Sequence, residues 1–222
     1  MTSNLELVDY LVESGVLKTT RLIETFQKID RADFAPREYR NEAYEDHPLP
    51  IGFGQTISQP WTVAFMLELL APEAGERVLD VGCGSGYTTA LLARAVGERG
   101  EVFGVEVMPQ LVEFARSNLS KYDPPWAAVF PASDHLGLSE KAPFNKILVS
   151  AAARQFPSEL LDQLALGGRL VVPVQNSIVK ADKSLGGGVR YVEYPTLKLA
   201  ENLPENSSKM TSFSFSGRMP RV

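Results

Sequence analysis

The sequence is poor in metal-binding and redox-active side chains. It has one cysteine, Cys83, and two histidines, His47 and His135, in 222 residues. A single cysteine excludes an intramolecular disulfide. With two histidines it also argues against a Cys/His zinc site, so no metal is expected. No run of lysine and arginine occurs, and the net charge is −5, from 27 acidic and 22 basic residues. Nucleic-acid affinity comes largely from Lys and Arg neutralising phosphates, so nucleic acid is not an expected partner. No apolar run approaches the ~18 residues of a transmembrane helix, and no membrane partner is expected. The polar start, Met1 to Glu6, lacks the basic-then-apolar signature of a secretory signal. These absences together point to the reducing cytoplasm. Internal repeats are also missing, and no apolar surface stripe is left over, which favours a monomer.

What remains is an ordinary globular composition, 44% apolar and 22% charged. Leu5, Val8, Val12 and Val16 fall at helical spacing and predict a first helix. Leu22, Ile23, Phe26 and Ile29 predict a second, with Thr20 as its candidate N-cap. The stretch from Asp30 to Pro60 has Pro36, Pro48, Pro50, Gly52 and Gly54 and reads as a long loop, a kind of segment that is often functional. Pro60 suits the first position of a helix over Trp61 to Leu70. From Arg77 the rhythm changes. Short apolar strands at 77–81, 101–106, 127–130, 146–150 and 169–174 alternate with helices at 88–96, 109–119 and about 157–166, the last ended by Gly167-Gly168. That alternation predicts a parallel sheet covered on both faces. Gly186 to Gly188 reads as a hairpin turn before a strand at 189–194, and the chain beyond Leu203 as a loosely held tail.

The strongest local signal is Val78-Leu79-Asp80-Val81-Gly82-Cys83-Gly84-Ser85-Gly86-Tyr87. A strand runs into three alternating glycines and then a helix, whose N-terminal N–H groups and tight glycine turn let a ligand approach the backbone. Glu106 ends the next strand, 24 residues after Gly82, where a carboxylate accepts hydrogen bonds from ribose hydroxyls. The spacing is G-x-G-x-G, not the G-x-G-x-x-G of dinucleotide sites. Asp80, two residues before the first glycine, would repel a pyrophosphate and suit an ammonium group. S-adenosyl-L-methionine therefore fits better than NAD. The plainer alternative is that the glycines only make a tight turn.

The second signal is the loop from Tyr44 to Pro60, which places Thr56, Ser58 and Gln59 just before a helix. These side chains offer hydroxyl and amide donors to a carboxylate or a peptide backbone. Equally, Ser58 could be a helix N-cap ahead of Pro60. His47 either orients a carboxylate or is a surface residue. Cys83 reads as a small packing residue.

This loop, the preceding Asp30-Arg31-Ala32-Asp33-Phe34 stretch and the glycine segment resemble the protein-L-isoaspartate (D-aspartate) O-methyltransferase family. Gly104-Val105-Glu106, Ala142-Pro143-Phe144 and Gly167 through Val174 extend the resemblance to roughly residues 5–195. The Pro48-to-Gly52 and Thr56-to-Pro60 runs are the specific part; the glycine loop marks only the wider methyltransferase class. The resemblance implies a doubly wound, mostly parallel seven-stranded α/β sheet of the Rossmann-like class I methyltransferase type, with an N-terminal helical extension. It implies three segments: helices and substrate loop over 1–60, the cofactor-binding core over 61–195, and a divergent tail over 196–222. The implied activity is a protein repair reaction: transfer of the methyl group of S-adenosyl-L-methionine to the α-carboxyl of L-isoaspartyl residues in damaged proteins and peptides, leaving S-adenosyl-L-homocysteine. The resulting ester then closes to a succinimide without further help from the enzyme.

Residue by residue, the resemblance puts the active-site serine on Ser58, with Thr56, Ile57, Gln59 and His47 around the substrate. The cofactor loop falls on Asp80, Gly82, Cys83, Gly84, Ser85 and Gly86, and the ribose acid on Glu106, followed by Val107. Ala132-Ser133-Asp134 stands where the family usually carries Gly-Asp-Gly, so the adenine-edge contact falls on Ser133 or Asp134. Asn145 replaces an aspartate of the family. Past Pro195, where the family has an apolar strand, this chain has Thr196 to Leu199 and a polar tail. The alternative readings are a methyltransferase with another acceptor and a catalytically weak cofactor-binding homologue.

Overall fold

Alternation along single strands decides the architecture. In β3 (Arg77–Val81), Val78 is buried in one apolar cluster, while Leu79 and Val81 are buried in another. β4 (Glu101–Glu106) repeats this with Val102 on one side and Phe103 and Val105 on the other. Successive strand residues point to opposite faces, so such strands need cover on both. The structure, a computed structural model describing residues 1–195, supplies it. Helices α4 (Tyr87–Val96) and α5 (Pro109–Leu119) cross from β3 to β4 and from β4 to β5 (Ala127–Pro131) on the first face. On the second face the cover comes from the loop before β6 (Phe144–Val149) and from the single-turn α6 (Leu160–Gln163). β7 (Leu164–Val174), β8 (Ser177–Lys183) and β9 (Val189–Pro195) then close the sheet as an antiparallel meander. The order is β5-β4-β3-β6-β7-β8-β9, seven strands, parallel from β5 to β7. This is the doubly wound seven-stranded sheet expected.

The N-terminal segment packs on the first face. Leu7, Leu11, Phe26 and Phe34 belong to the same buried cluster as Leu67 and Leu91. In α1 (Asn4–Glu13) the buried face is Leu7, Val8 and Leu11, while Leu5 and Val12 are exposed. The expected stripe was thus rotated, because buried Asn4 donates to the Phe26 carbonyl at 2.7 Å and turns that side inward. Val16 lies beyond the helix, buried. α2 (Thr20–Lys28) is capped by Thr19, not Thr20, and the Glu68 carboxylate accepts from the Lys18 and Thr19 N–H groups, each at 2.7 Å. That carboxylate comes from α3 (Pro60–Leu70), so the cap is invisible in the local sequence.

Two further expectations need correction. The long loop over 30–60 is not structureless: it holds 3-10 turns at Arg31–Phe34 and Arg37–Glu42 and the hairpin of β1 (Leu49–Gly52) and β2 (Gln55–Ile57). The helix expected to run to Leu166 is one turn long. β7 begins at Leu164, pairs it with Phe144, and passes Gly167 and Gly168 as an irregularity before Arg169 pairs with Lys146. Gly167 has φ +79°, and a Cβ on Gly168 would stand 2.9 Å from two backbone carbonyl oxygens. Burial of Leu160, Leu164 and Phe144 in one cluster outweighs helix continuation. The expectations for 196–222 lie outside the described residues.

At the edge of the meander, Asp182 accepts from Arg169 Nε at 2.6 Å and Arg190 Nη2 at 3.3 Å. Arg169 also donates to the Leu69 carbonyl at 3.0 Å, tying α3 to the sheet. Partial burial alone would raise the Asp182 carboxyl; Arg169, Arg190 and Lys180 override it and hold it below the usual range. A depressed folded value means that this stabilisation is present above the unfolded value of about 3.9 and is lost as pH falls through the folded one. Asp182→Asn should therefore cost about 1 kcal/mol in urea unfolding at pH 7, and the deficit should vanish near pH 2.

Candidate active site

Strand order reverses between β3 and β6, which in an open α/β sheet is where ligands bind. Asp80 sits there, one residue from the end of β3 and completely buried. Its Oδ1 accepts from Ser150 Oγ at 2.6 Å, across the reversal, and its Oδ2 from Thr88 Oγ1 at 2.6 Å and Thr89 Oγ1 at 2.7 Å. Burial pushes the Asp80 carboxyl up, and the hydroxyls work against that. A hydroxyl has one proton and two lone pairs. With their protons given to Asp80, the half-buried Thr88 and Ser150 present acceptors only, their oxygens 3.2 Å apart. Asp80, expected beside an ammonium group, is here covered by the three hydroxyls. Neither Thr88 nor Ser150 was singled out in the sequence; the only signal for Thr88 was its place in the first turn after the glycines.

The glycine loop follows. Gly82, Gly84 and Gly86 have φ of +76°, +55° and +86°, a left-handed conformation that disfavours side chains. A Cβ on Gly82 would stand 2.7 Å from Ala151 Cβ, and one on Gly86 3.2 Å from Ala115 Cβ. Close packing of the protein on itself therefore demands these two glycines, as the plainer reading had it. Gly84 donates its N–H to Glu106 Oε2 at 2.9 Å. Glu106 Oε1 accepts from the Val107 and Met108 N–H groups at 2.8 and 3.0 Å. Of about four lone-pair positions on a carboxylate, Glu106 spends three on backbone. Its first task is to hold the loop, with one of these bonds on Oε2 and two on Oε1. Val107, the next residue, is an exposed apolar side chain. The Ala132 N–H donates to the Glu106 carbonyl at 2.8 Å, and Ser133 and Asp134, the next residues, are exposed. Cys83 and Ser85 are buried, so they offer a ligand backbone only.

The second half of the site is the β1–β2 hairpin. Ile51 Cδ1 lies 3.2 Å from where a Gly84 Cβ would be, so the hairpin rests directly on the glycine loop. Thr56 is exposed on β2 opposite Pro50, and Ile57 is buried opposite Leu49. Ser58 is half-buried and stands between β2 and α3, belonging to neither. It is not the cap of α3, because Gln59 takes that position and Pro60 the first helical one. The Ser58 carbonyl accepts from Arg31 Nη2 at 3.2 Å. Gln59 is buried and donates to Asp46 Oδ2 at 3.0 Å, which makes it a support of the loop. His47 Nε2 lies 3.2 Å from Glu45 Oε2 and 3.7 Å from Glu42 Oε2, so its ring already faces two carboxylates of its own loop.

Residues 2–190 match the family of protein-L-isoaspartate (D-aspartate) O-methyltransferases. The chain belongs to this family. A protein-L-isoaspartate O-methyltransferase of Anaeromyxobacter dehalogenans is 51% identical over 171 residues, covering 76% of this chain and 79% of that one. Its counterpart in Aeropyrum pernix is 47% identical over 173 residues, 78% of this chain and 66% of the relative. Among solved structures, a Plasmodium falciparum protein of the same description, in complex with S-adenosyl-L-homocysteine, superposes with a TM-score of 0.77 at 24% identity over 88% of this chain and 95% of that one. Another protein-L-isoaspartate O-methyltransferase superposes at 0.72 with 26% identity, covering 86% of this chain and 64% of the other.

Where the sequence departs from the resemblance, this fold accommodates the change. Asn145 Oδ1 accepts from the Arg77 N–H at 2.9 Å, which an aspartate would do equally well. Cys83 is sealed beneath the loop, 4% exposed. Burial, with the Asp80 and Glu106 carboxylates nearby, pushes its thiol well above the ordinary range. A thiol reacts as the thiolate. Ellman's reagent at pH 8 should therefore find no reactive thiol in the folded protein and one in denaturant.

Proposed function

We infer that this chain is a repair methyltransferase that moves the methyl group of S-adenosyl-L-methionine to the α-carboxyl of L-isoaspartyl residues in damaged proteins and peptides. The observation that carries this reading is the contact between the two loops: the family-specific hairpin leading to Ser58 rests, through Ile51, on Gly84 of the glycine loop. A carboxylate held by one loop would face a group held by the other.

The cofactor's functional groups match the donor set. Thr88 and Ser150, reduced to acceptors by Asp80, suit a donor-only ammonium, and the Glu106 carboxylate suits a ribose hydroxyl. Val107, with Ser133 or Asp134, would meet the adenine. When bound, S-adenosyl-L-methionine supplies an electrophilic methyl on a sulfonium. The acceptor is ionised at neutral pH, so the protein supplies no general base. Its contribution is alignment and the exclusion of water. The Ser58 hydroxyl, with Thr56 beside it, would donate to one carboxylate oxygen and leave the other aimed at the methyl. No covalent intermediate on Ser58 is involved.

The reading is completed by a cytoplasmic monomer that uses neither nucleic acid nor membrane. It is supported by the net charge of −5 and by the described helices, none of which is long and apolar enough to cross a membrane.

The test is methyl transfer from labelled S-adenosyl-L-methionine to an isoaspartyl peptide, with the matching aspartyl peptide as control. Label on the isoaspartyl peptide alone is expected. Equal labelling of both, or of neither while S-adenosyl-L-homocysteine still binds, overturns the acceptor. Ser58→Ala should lower kcat/KM for the isoaspartyl peptide by about 10- to 100-fold, the worth of a hydrogen bond to a charged group. Its affinity for S-adenosyl-L-homocysteine, measured by titration calorimetry, should stay within about twofold.

A further inference from the structure

Arg31 is completely buried, yet no carboxylate pairs with its guanidinium among the described residues. It donates instead to backbone carbonyls: Nη1 to Ala43 at 2.7 Å and Glu45 at 3.4 Å, Nη2 to His47 at 3.0 Å and Ser58 at 3.2 Å. Burial lowers its pKa to about 10, so the charge is held there against a desolvation cost. A group that costs this much and serves only carbonyls is fixing backbone. Three of the carbonyls lie in the irregular run before β1, and the fourth belongs to Ser58.

Ser58 needs outside support. Ile57 is the last residue held by hairpin pairing, and Pro60 the first of α3, so no ladder or helix bond sets the orientation of the Ser58 peptide. Arg31 grips it through its carbonyl. Just beyond it in the chain, Asp46 Oδ1 accepts from the Trp61 N–H at 2.8 Å, while Oδ2 accepts from Gln59 Nε2 at 3.0 Å and Tyr10 Oη at 3.1 Å. Asp46 is the neighbour in sequence of Glu45 and His47, both held by Arg31, so the two grips are joined through one short stretch of chain.

We propose that Arg31 and Asp46 are positioning residues for Ser58: Arg31 fixes the peptide that follows this serine and Asp46 fixes the Gln59–Trp61 turn into α3, and together they place the Ser58 side chain toward the acceptor carboxylate. This rests on the reading that Ser58 holds that carboxylate. Neither residue touches substrate. Their effect reaches the reaction through Ser58 alone.

A double-mutant cycle tests this, because coupled residues depart from additivity and independent ones do not. Arg31→Lys keeps the charge and loses the planar fork. It should lower kcat/KM for an isoaspartyl peptide about tenfold with Ser58 present, and less than about twofold in the Ser58→Ala background. Affinity for S-adenosyl-L-homocysteine should be unchanged throughout. Asp46→Asn, which leaves an acceptor for Trp61, should show the same pattern and serves in place of Arg31→Lys should that variant fold poorly. Where turnover in the Ser58→Ala background is too slow to follow, equilibrium binding of the peptide to the S-adenosyl-L-homocysteine complex gives the cycle instead. Equal losses in both backgrounds, or a parallel loss of S-adenosyl-L-homocysteine affinity, overturn the positioning role and leave the activity standing. A Ser58→Ala enzyme as active as wild type overturns the reading beneath it.

Discussion

Backbone that leaves regular structure inside a protein must still pair its N–H and C=O groups. At the carboxyl end of this sheet the chain leaves regular structure twice, once in the glycine loop and once in the stretch before β1 and around Ser58. Charged side chains replace the missing ladder in both places. Glu106 takes the N–H groups of Gly84, Val107 and Met108, and Arg31 supplies donors to Ala43, Glu45, His47 and Ser58. Burying such charges is expensive unless they are hydrogen-bonded; both Nη atoms of Arg31 are, while its buried Nε finds no partner among the described residues. In return each of the two loops is tied to its own buried charge.

The same device extends inward. Asp80 spends its carboxylate on the hydroxyls of Thr88, Thr89 and Ser150, which come from the helix after the glycines and from the residue just past β6. It thereby joins the two sides of the strand-order reversal. A buried acid here acts by deciding which way its neighbours' protons point.

Much of the core was legible in the sequence, because β3, β4 and β6 are apolar on both faces and their helices carry clear periodicity. The glycine loop, Glu106 and Ser58 stood out for the same reason: a local pattern or a family-specific run marks them. What escaped depends on distance along the chain. Ser150 is 70 residues from Asp80, and Ser58 is 27 from Arg31, and no local pattern announces either bond. β1 and β2 hid in a stretch rich in proline and glycine, because four- and three-residue strands carry too little alternation to read. β8 hid because Lys180, Asp182 and Lys183 break its apolar pattern. The helix expected over 157–166 was shortened by pairing of Leu164 with Phe144, a tertiary contact that local periodicity does not contain. His47 was read either as orienting a carboxylate or as a surface residue, and in the structure its ring faces Glu42 and Glu45 of the same loop.

The most direct test is a crystal structure of the chain with S-adenosyl-L-homocysteine and an isoaspartyl peptide. The account predicts the free α-carboxylate within hydrogen-bond distance of Ser58 Oγ, and the ligand's ammonium against Thr88 and Ser150. It also predicts the carbonyls of Ser58 and His47 still on Arg31. A carboxylate bound away from Ser58, or an ammonium that displaces the hydroxyls to reach Asp80 itself, would contradict it.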